Sequence, residues 1–202
     1  MTHPIPDVID FLVGPAPGLG PIRAKRAQAR DNAQKSFEAL FSPQDAGTVS
    51  LEERLAVATF VAGLHRDAAI AAFYGDRLAP IARPGLAAAI AEESRKAATE
   101  GPYGDYPEGP LSKENERGLI YKAGARDVFG ARLAAGLEHA HLLVFRPRDA
   151  SPEALQKLLD AGWSATDIVT LSQLVAFLAF QIRVVTGFRA LAAAQKTQTA
   201  AA

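Results

Sequence analysis

The chain contains no cysteine, which excludes disulfides, thiolate metal sites and every thiol-based catalytic mechanism. It also carries no net charge: 22 basic and 22 acidic residues cancel, so no global field favours nucleic acid or an anionic membrane. The first residues, M-T-H-P-I-P-D, lack the basic and long apolar regions of a signal peptide, and the cytoplasm is the expected compartment. No phosphate loop, nucleophile elbow or dinucleotide fingerprint is present. The run G-P-A-P-G-L-G-P offers glycines, but no strand precedes it and its prolines cannot present backbone amides. No cofactor is expected. Segments alternating at period two are scarce, while alanine occurs 41 times, and together these point to an all-α protein.

At 202 residues the chain can bury about 70% of its unfolded surface. Its longest apolar segment is Ser164 to Leu191. Ser164 can cap a helix with Asp167 three residues on, and Arg189 falls in the last turn, so one helix of about seven turns is predicted. Leu171, Leu174, Val175, Leu178, Ile182 and Val185 form one stripe on it. Phe177, Phe180, Val184 and Phe188 form a second, so burial on two sides is expected. Gln173, Gln181 and Arg183 interrupt any window long enough to span a bilayer, which argues against a membrane segment.

Residues 1–21 read as a Pro- and Gly-rich arm with room for a short helix at Asp7 to Val13, its Ile9, Phe11, Leu12 and Val13 lying on another surface. Residues 22–100 form a first helical half. Pro21 to Phe41 is an amphipathic helix whose basic run R-A-K-R-A-Q-A-R, without aromatic residues, reads as a solvated face rather than a nucleic-acid contact. Ser50-Leu51-Glu52-Glu53 is a capping box opening a helix to Leu64, with Val57, Phe60, Val61 and Leu64 as its apolar stripe. Helices follow at His65 to Leu78 and Arg83 to Thr99.

Residues 101–110, with three Gly and three Pro, form a linker. A second helical half spans 111–191. Within it Gly118, Gly124, Gly130 and Gly136 recur every six residues, which predicts a break near Gly124 or close packing at the glycines. Ser151-Pro152-Glu153 starts a helix that ends at Gly162. Residues 192–202 form a tail, polar and small from Gln195 onward, that is expected to be disordered.

The run L-L-D-A-G-W-S-A-T-D-I-V-T-L-S-Q-L-V-A-F-L-A-F-Q-I-R-V-V-T-G-F, Leu158 to Phe188, resembles the carboxymuconolactone decarboxylase and AhpD-like superfamily, in particular its peroxidase-related branch. L-S-K-E-N-E-R-G-L-I and S-L-E-E-R-L-A-V-A-T-F-V-A-G-L are also similar to helices of that family, and the likeness covers residues 50–78 and 111–191. It implies a helical bundle of two related halves that assembles as a homo-oligomer, whether dimer, trimer or hexamer. In many members it also implies a C-x-x-C-x-x-x-H peroxidase site. Laid on this chain, the two cysteines fall on Asp67 and Ile70 and the histidine on Tyr74; in the second half the positions are near Arg148, Ser151 and Leu155. Neither copy keeps the thiols, so thiol peroxidase chemistry is excluded. The decarboxylase branch lacks them too and is thought to use acid and base groups.

Glu53, His65, Asp67 and Tyr74 are therefore the candidate catalytic residues. Each has an ordinary role beside the chemical one: Glu53 a capping-box member, His65 a helix C-cap, Asp67 a residue of the first helical turn, Tyr74 a core aromatic with a wet hydroxyl. Glu138-His139-Ala140-His141 is a second polar group. Its histidines, two apart, point about 200° from one another on a helix. Glu138 and His141 can pair, and His141 is a candidate for binding substrate, but a metal site lacks a third ligand at helical spacing. Arg183, on the most apolar helix, needs a carboxylate: Glu53, Glu116, Asp127 or that of a substrate. Two functions compete: a cofactor-free acid-base enzyme acting on a small organic acid or lactone, and a non-catalytic relic that binds a small-molecule ligand or a partner.

Overall fold

The structure is a computed structural model and describes residues 5–200. Among these the regular structure is helical: α1 (Val8–Val13), α2 (Gly20–Ala24), α3 (Ala27–Phe41), α4 (Leu51–Leu64), α5 (Ala68–Leu78), α6 (Leu86–Ala97), α7 (Arg126–Phe145), α8 (Pro152–Asp160) and α9 (Ala165–Ala200), with short 3-10 turns between some of them. No strand forms among the described residues; one isolated antiparallel bridge joins Gly104 to Glu116. The fold is all-α. The chain divides into two compact units, one comprising the residues up to Asp45 together with those from Ala179 on, the other Ala46–Leu178.

In the first unit, the arm is held by charge. Asp7 caps α1 by accepting from the Asp10 amide at 2.9 Å. Arg23 donates to Asp7 at 2.9 Å and Arg30 at 2.6 Å, and both arginines also pair with Asp10. Burial raises the Asp7 carboxyl pKa, but Arg23, the Asp10 amide and Arg30 outweigh it and the net shift is downward. Two of the four cations of the basic run thus fasten the acidic start of the chain, Arg23 buried and Arg30 still exposed to solvent. Gln34 completes the attachment, accepting from the Val8 amide and donating to the Ile5 carbonyl. Val8, Ile9 and Leu12 are buried, and Arg189 donates to the Leu12 carbonyl at 2.7 Å.

In the second unit, α4 packs against α5, α6 and α7. From Leu55 through Ala62 every α4 side chain is buried, so this helix is apolar on all sides rather than along one stripe. The capping box predicted at its start is present: the Glu53 amide donates to the Ser50 hydroxyl and the Ser50 amide to the Glu53 carboxylate. α8 is capped by Ser151, and the turn after it places Gly162 at φ +91°, a conformation that favours glycine.

The stretch between Glu114 and Arg126 is not helical. Glu93 of α6 draws it away: its carboxylate accepts from the Tyr121 hydroxyl at 2.6 Å and the Gly124 amide at 2.9 Å. Burial and this bond both raise the Tyr121 pKa, keeping the phenol protonated. Three of the four periodic glycines are sites of close approach, Gly118 to Tyr103, Gly124 to Glu93 and Gly136 to Trp163. The fourth, Gly130, has φ +69° and ψ +169°, breaking α7 after one turn. The carbonyls of Val128 and Phe129 accept from Arg83 at 3.1 and 2.8 Å.

α9 starts as predicted, with Ser164 and Asp167 bonding reciprocally through backbone and side chain. It does not stop near Leu191: the helix continues to Ala200, so Gln195 to Ala200, expected to be disordered, are helical, and the last two residues lie outside those described. The polar tail holds no proline and only good to moderate helix formers, so nothing in it ends the helix. The first predicted stripe, from Leu171 to Val185, is buried throughout. Of the second only Phe177 is, while Phe180 is 44% exposed. By length and composition part of α9 is long and apolar enough to cross a bilayer, so Gln173, Gln181 and Arg183 do not interrupt every such window as expected; half of the most apolar window is buried inside the protein.

Gly136 gives a test of the packing. A Cβ there would stand 2.7 Å from the Trp163 ring, and the ring is fixed by its indole N–H bond to the Arg132 carbonyl at 2.8 Å and by the Arg132 guanidinium 4.3 Å above it. Gly136→Ala is expected to destabilise by about 1–3 kcal/mol, although alanine in a helix is worth about 1 kcal/mol over glycine. Urea unfolding measures it, and a variant as stable as the parent would show that Trp163 yields.

Candidate functional site

A cleft of about 630 Å³ lies among α4, α5 and α6. Its walls are small because the sequence places small residues at helical spacing: Ala68, Ala71, Ala72 and Gly75 on α5, and Ala87, Ala91 and Ser94 on α6, with Ala98 just beyond it. Gly63 lets α4 and α6 meet, since a Cβ there would collide with the Ser94 side chain. The hydroxyls lining the cleft are turned back to helix carbonyls, Thr59 to Leu55 at 2.8 Å and Ser94 to Ala91 at 3.0 Å. The interior is therefore apolar.

Charge collects at one end. The short turn joining α4 to α5 puts the end of α4 beside the start of α5, and the Gly63–Ser94 approach brings the end of α6 there too. At that end lie Arg66, Asp67 and Arg95, the charged residues lining the cleft. Arg95 pairs with Glu92, whereas Arg66 has no ion-pair partner among the described residues and holds a left-handed φ of +59°.

Of the six predicted site residues, Asp67 lines this cleft, where it caps α5 by accepting from the Ile70 amide at 2.9 Å. Glu53 and His65 stand at opposite ends of α4, twelve residues apart, or about 18 Å along the axis. The His65 ring bonds the Val61 carbonyl through Nδ1 at 2.9 Å. Tyr74 is fully buried, edge-on to Phe73 at 4.9 Å. His141 is fully buried against the Tyr121 and Phe145 rings, with Nε2 3.0 Å from the Ala97 carbonyl. Burial depresses its pKa to about 4 against the opposing pull of Ala97, and Arg146 depresses it further, so at neutral pH the ring is uncharged and its one N–H is held by the Ala97 carbonyl. Arg183 is exposed and donates to the Ala179 carbonyl at 3.1 Å, so the desolvation that called for a carboxylate partner is absent.

The expected Glu138–His141 pair does not form. Glu138 is taken by Lys122, Arg126 and the Ala123 amide, while His141 turns to Ala97. No group of three or more His, Asp or Glu able to hold a metal occurs among the described residues. The residues that sequence reasoning did not single out are the small ones lining the cleft, and the signal available was their i, i+3, i+4, i+7 recurrence.

Glu53 belongs instead to a polar cluster. Arg132 Nε donates to Glu53 at 2.8 Å, and its other nitrogens reach the Asp167 carboxylate at 3.2 Å, the Thr48 carbonyl at 3.3 Å and the Gly162 carbonyl. Burial raises the Asp167 pKa, but bonds from Thr48, Ser164 and Arg132 overcome it and bring the value down to about 2. Compared with known proteins, the chain matches no family model and no curated protein.

The folded state thus binds the Asp167 proton more weakly than the unfolded chain, so the group stabilises above about pH 4 and loses that contribution as pH falls toward 2. Asp167→Asn is expected to cost about 2 kcal/mol at pH 7 and progressively less below pH 4. Guanidinium unfolding of both proteins across that range measures the difference, and a pH-independent gap would contradict the assigned charge.

Proposed function

We propose that the chain is a divergent member of the carboxymuconolactone decarboxylase and AhpD-like superfamily, built from two related helical halves, that binds a small amphipathic molecule in the α4–α5–α6 cleft. The observation carrying this reading is the cleft itself: about 630 Å³ of apolar, small-walled space charged at one end, within the range of small-molecule sites. A ligand with an alkyl or ring body and one anionic head suits it, the body lying along the alanines and the head at Arg66. The resemblance adds that the cleft opens beside Asp67, where the first cysteine of the family site falls.

Binding is favoured over acid-base turnover because the candidate groups are engaged elsewhere: Glu53 in a cap and an ion pair, His65 with a helix carbonyl, Asp67 in a cap. Chemistry of the acid-base kind needs such groups to converge on one cavity. Self-association, which the resemblance implies, is supported by the exposed apolar Val169 and Phe180 of α9.

Sodium decanoate, titrated calorimetrically, is the probe. Saturable binding at one site per chain is expected, and Ala91→Trp, an exposed wall residue, should weaken it at least tenfold while leaving the melting temperature within a few degrees. No binding to the parent, or equal binding to both, would overturn the proposal.

A further inference from the structure

A second cavity, of about 80 Å³, lies between α7, α8 and the segment Ile120–Lys122. Glu138, His139 and Leu142 line it from α7, Arg146 from the residue just past the end of that helix, and Lys157 from α8. His139 is 6% exposed and lines the cavity, and beside it Arg146 Nε is fully buried without a hydrogen-bond partner among the described residues. Buried polar side chains are nearly always bonded to something. Here the unmet donor is Arg146 Nε, and the His139 imidazole lines the same cavity.

The charges around the cavity decide what would meet that donor. Three cations line the cavity, Lys122, Arg146 and Lys157, against one carboxylate, Glu138. Glu138 is already spent on Lys122 at 3.0 Å, the Ala123 amide at 3.1 Å and Arg126. Arg146 gives one terminal nitrogen to Asp149 at 2.8 Å and keeps a buried Nε with no acceptor. Counting the neighbouring Arg126, Asp149 and the Glu93 bonded to Tyr121, the surroundings remain positive by one charge, four cations against three carboxylates. What is missing is an acceptor carrying negative charge.

From this we propose that the cavity is a binding site for a small oxyanion, a carboxylate or a phosphate group, held by the His139 N–H and the charges of Arg146, Lys122 and Lys157. The volume suits that size: at about 30 Å³ per water it holds two or three waters or one such group, and Leu142 and Leu158 beside it leave room for a short alkyl chain but no large body. The site is built from residues other than those of the α4–α6 cleft and stands or falls separately from it.

The test is a titration of the full chain with sodium acetate and, separately, sodium phosphate at pH 7, followed by the ring resonances of His139, with ionic strength held constant by sodium chloride. A saturable shift of His139 is expected with at least one of them. Saturation by acetate alone assigns a carboxylate site, and by phosphate alone a phosphate site. Lys157→Gln, an exposed substitution, should raise the midpoint at least threefold without moving the melting temperature, and in His139→Gln the ligand should no longer raise that temperature. A shift that never saturates with either anion, or a midpoint unchanged in Lys157→Gln, overturns the proposal.

Discussion

One guanidinium holds the second unit together at its polar seam. Arg132 projects from α7 and touches the cap of α4 at Glu53, the cap of α9 at Asp167, the loop carbonyl of Thr48 and the turn carbonyl of Gly162, while its plane lies over Trp163. Carbonyls at turns and carboxylates at caps need donors from fixed directions, and a planar fork with five N–H groups supplies them where a lysine ammonium cannot. Two helix starts that would each be capped locally are thereby joined to each other. The depressed Asp167 pKa is a measure of how well that is achieved.

The cleft follows from the opposite kind of surface. α4 is sheathed by α5, α6 and α7, and where α5 and α6 turn alanine and glycine toward one another there is not enough side-chain volume to fill the space. Leucines at those positions would close it into ordinary core. The space is thus a property of residue size along two helices, and its charged end a property of where three helix termini coincide.

Local rules made much of this legible in the sequence. The caps at Ser50, Ser151 and Ser164, the turn at Gly162 and the all-α composition follow from side chains acting on their own neighbours in the chain, and each is found where such rules place it. The non-helical path between Glu114 and Arg126 could not be read that way, because Glu93, far off in sequence, decides it by accepting from Tyr121 and Gly124. Arg23 misled for the same reason: within a run that is otherwise exposed as expected, it is buried against Asp7, which the local sequence does not bring to it. The candidate site was legible only as a set of polar residue types. Glu53 and His65 are near in sequence terms yet lie at the two ends of one helix, and His139, two positions from the residue that sequence reasoning favoured, faces a cavity while His141 faces a carbonyl.

Gly130 carries a consequence of another sort. Around it nothing stands within 4 Å of where a Cβ would be, so size is no obstacle there; its backbone sits at φ +69° and ψ +169°, a region that only glycine among the coded residues enters freely. What the position demands is handedness. A mirror-image alanine would fit where the natural one would strain, so the break that presents two carbonyls to Arg83 rests on the chirality of the chain itself, independent of any contact a side chain could make.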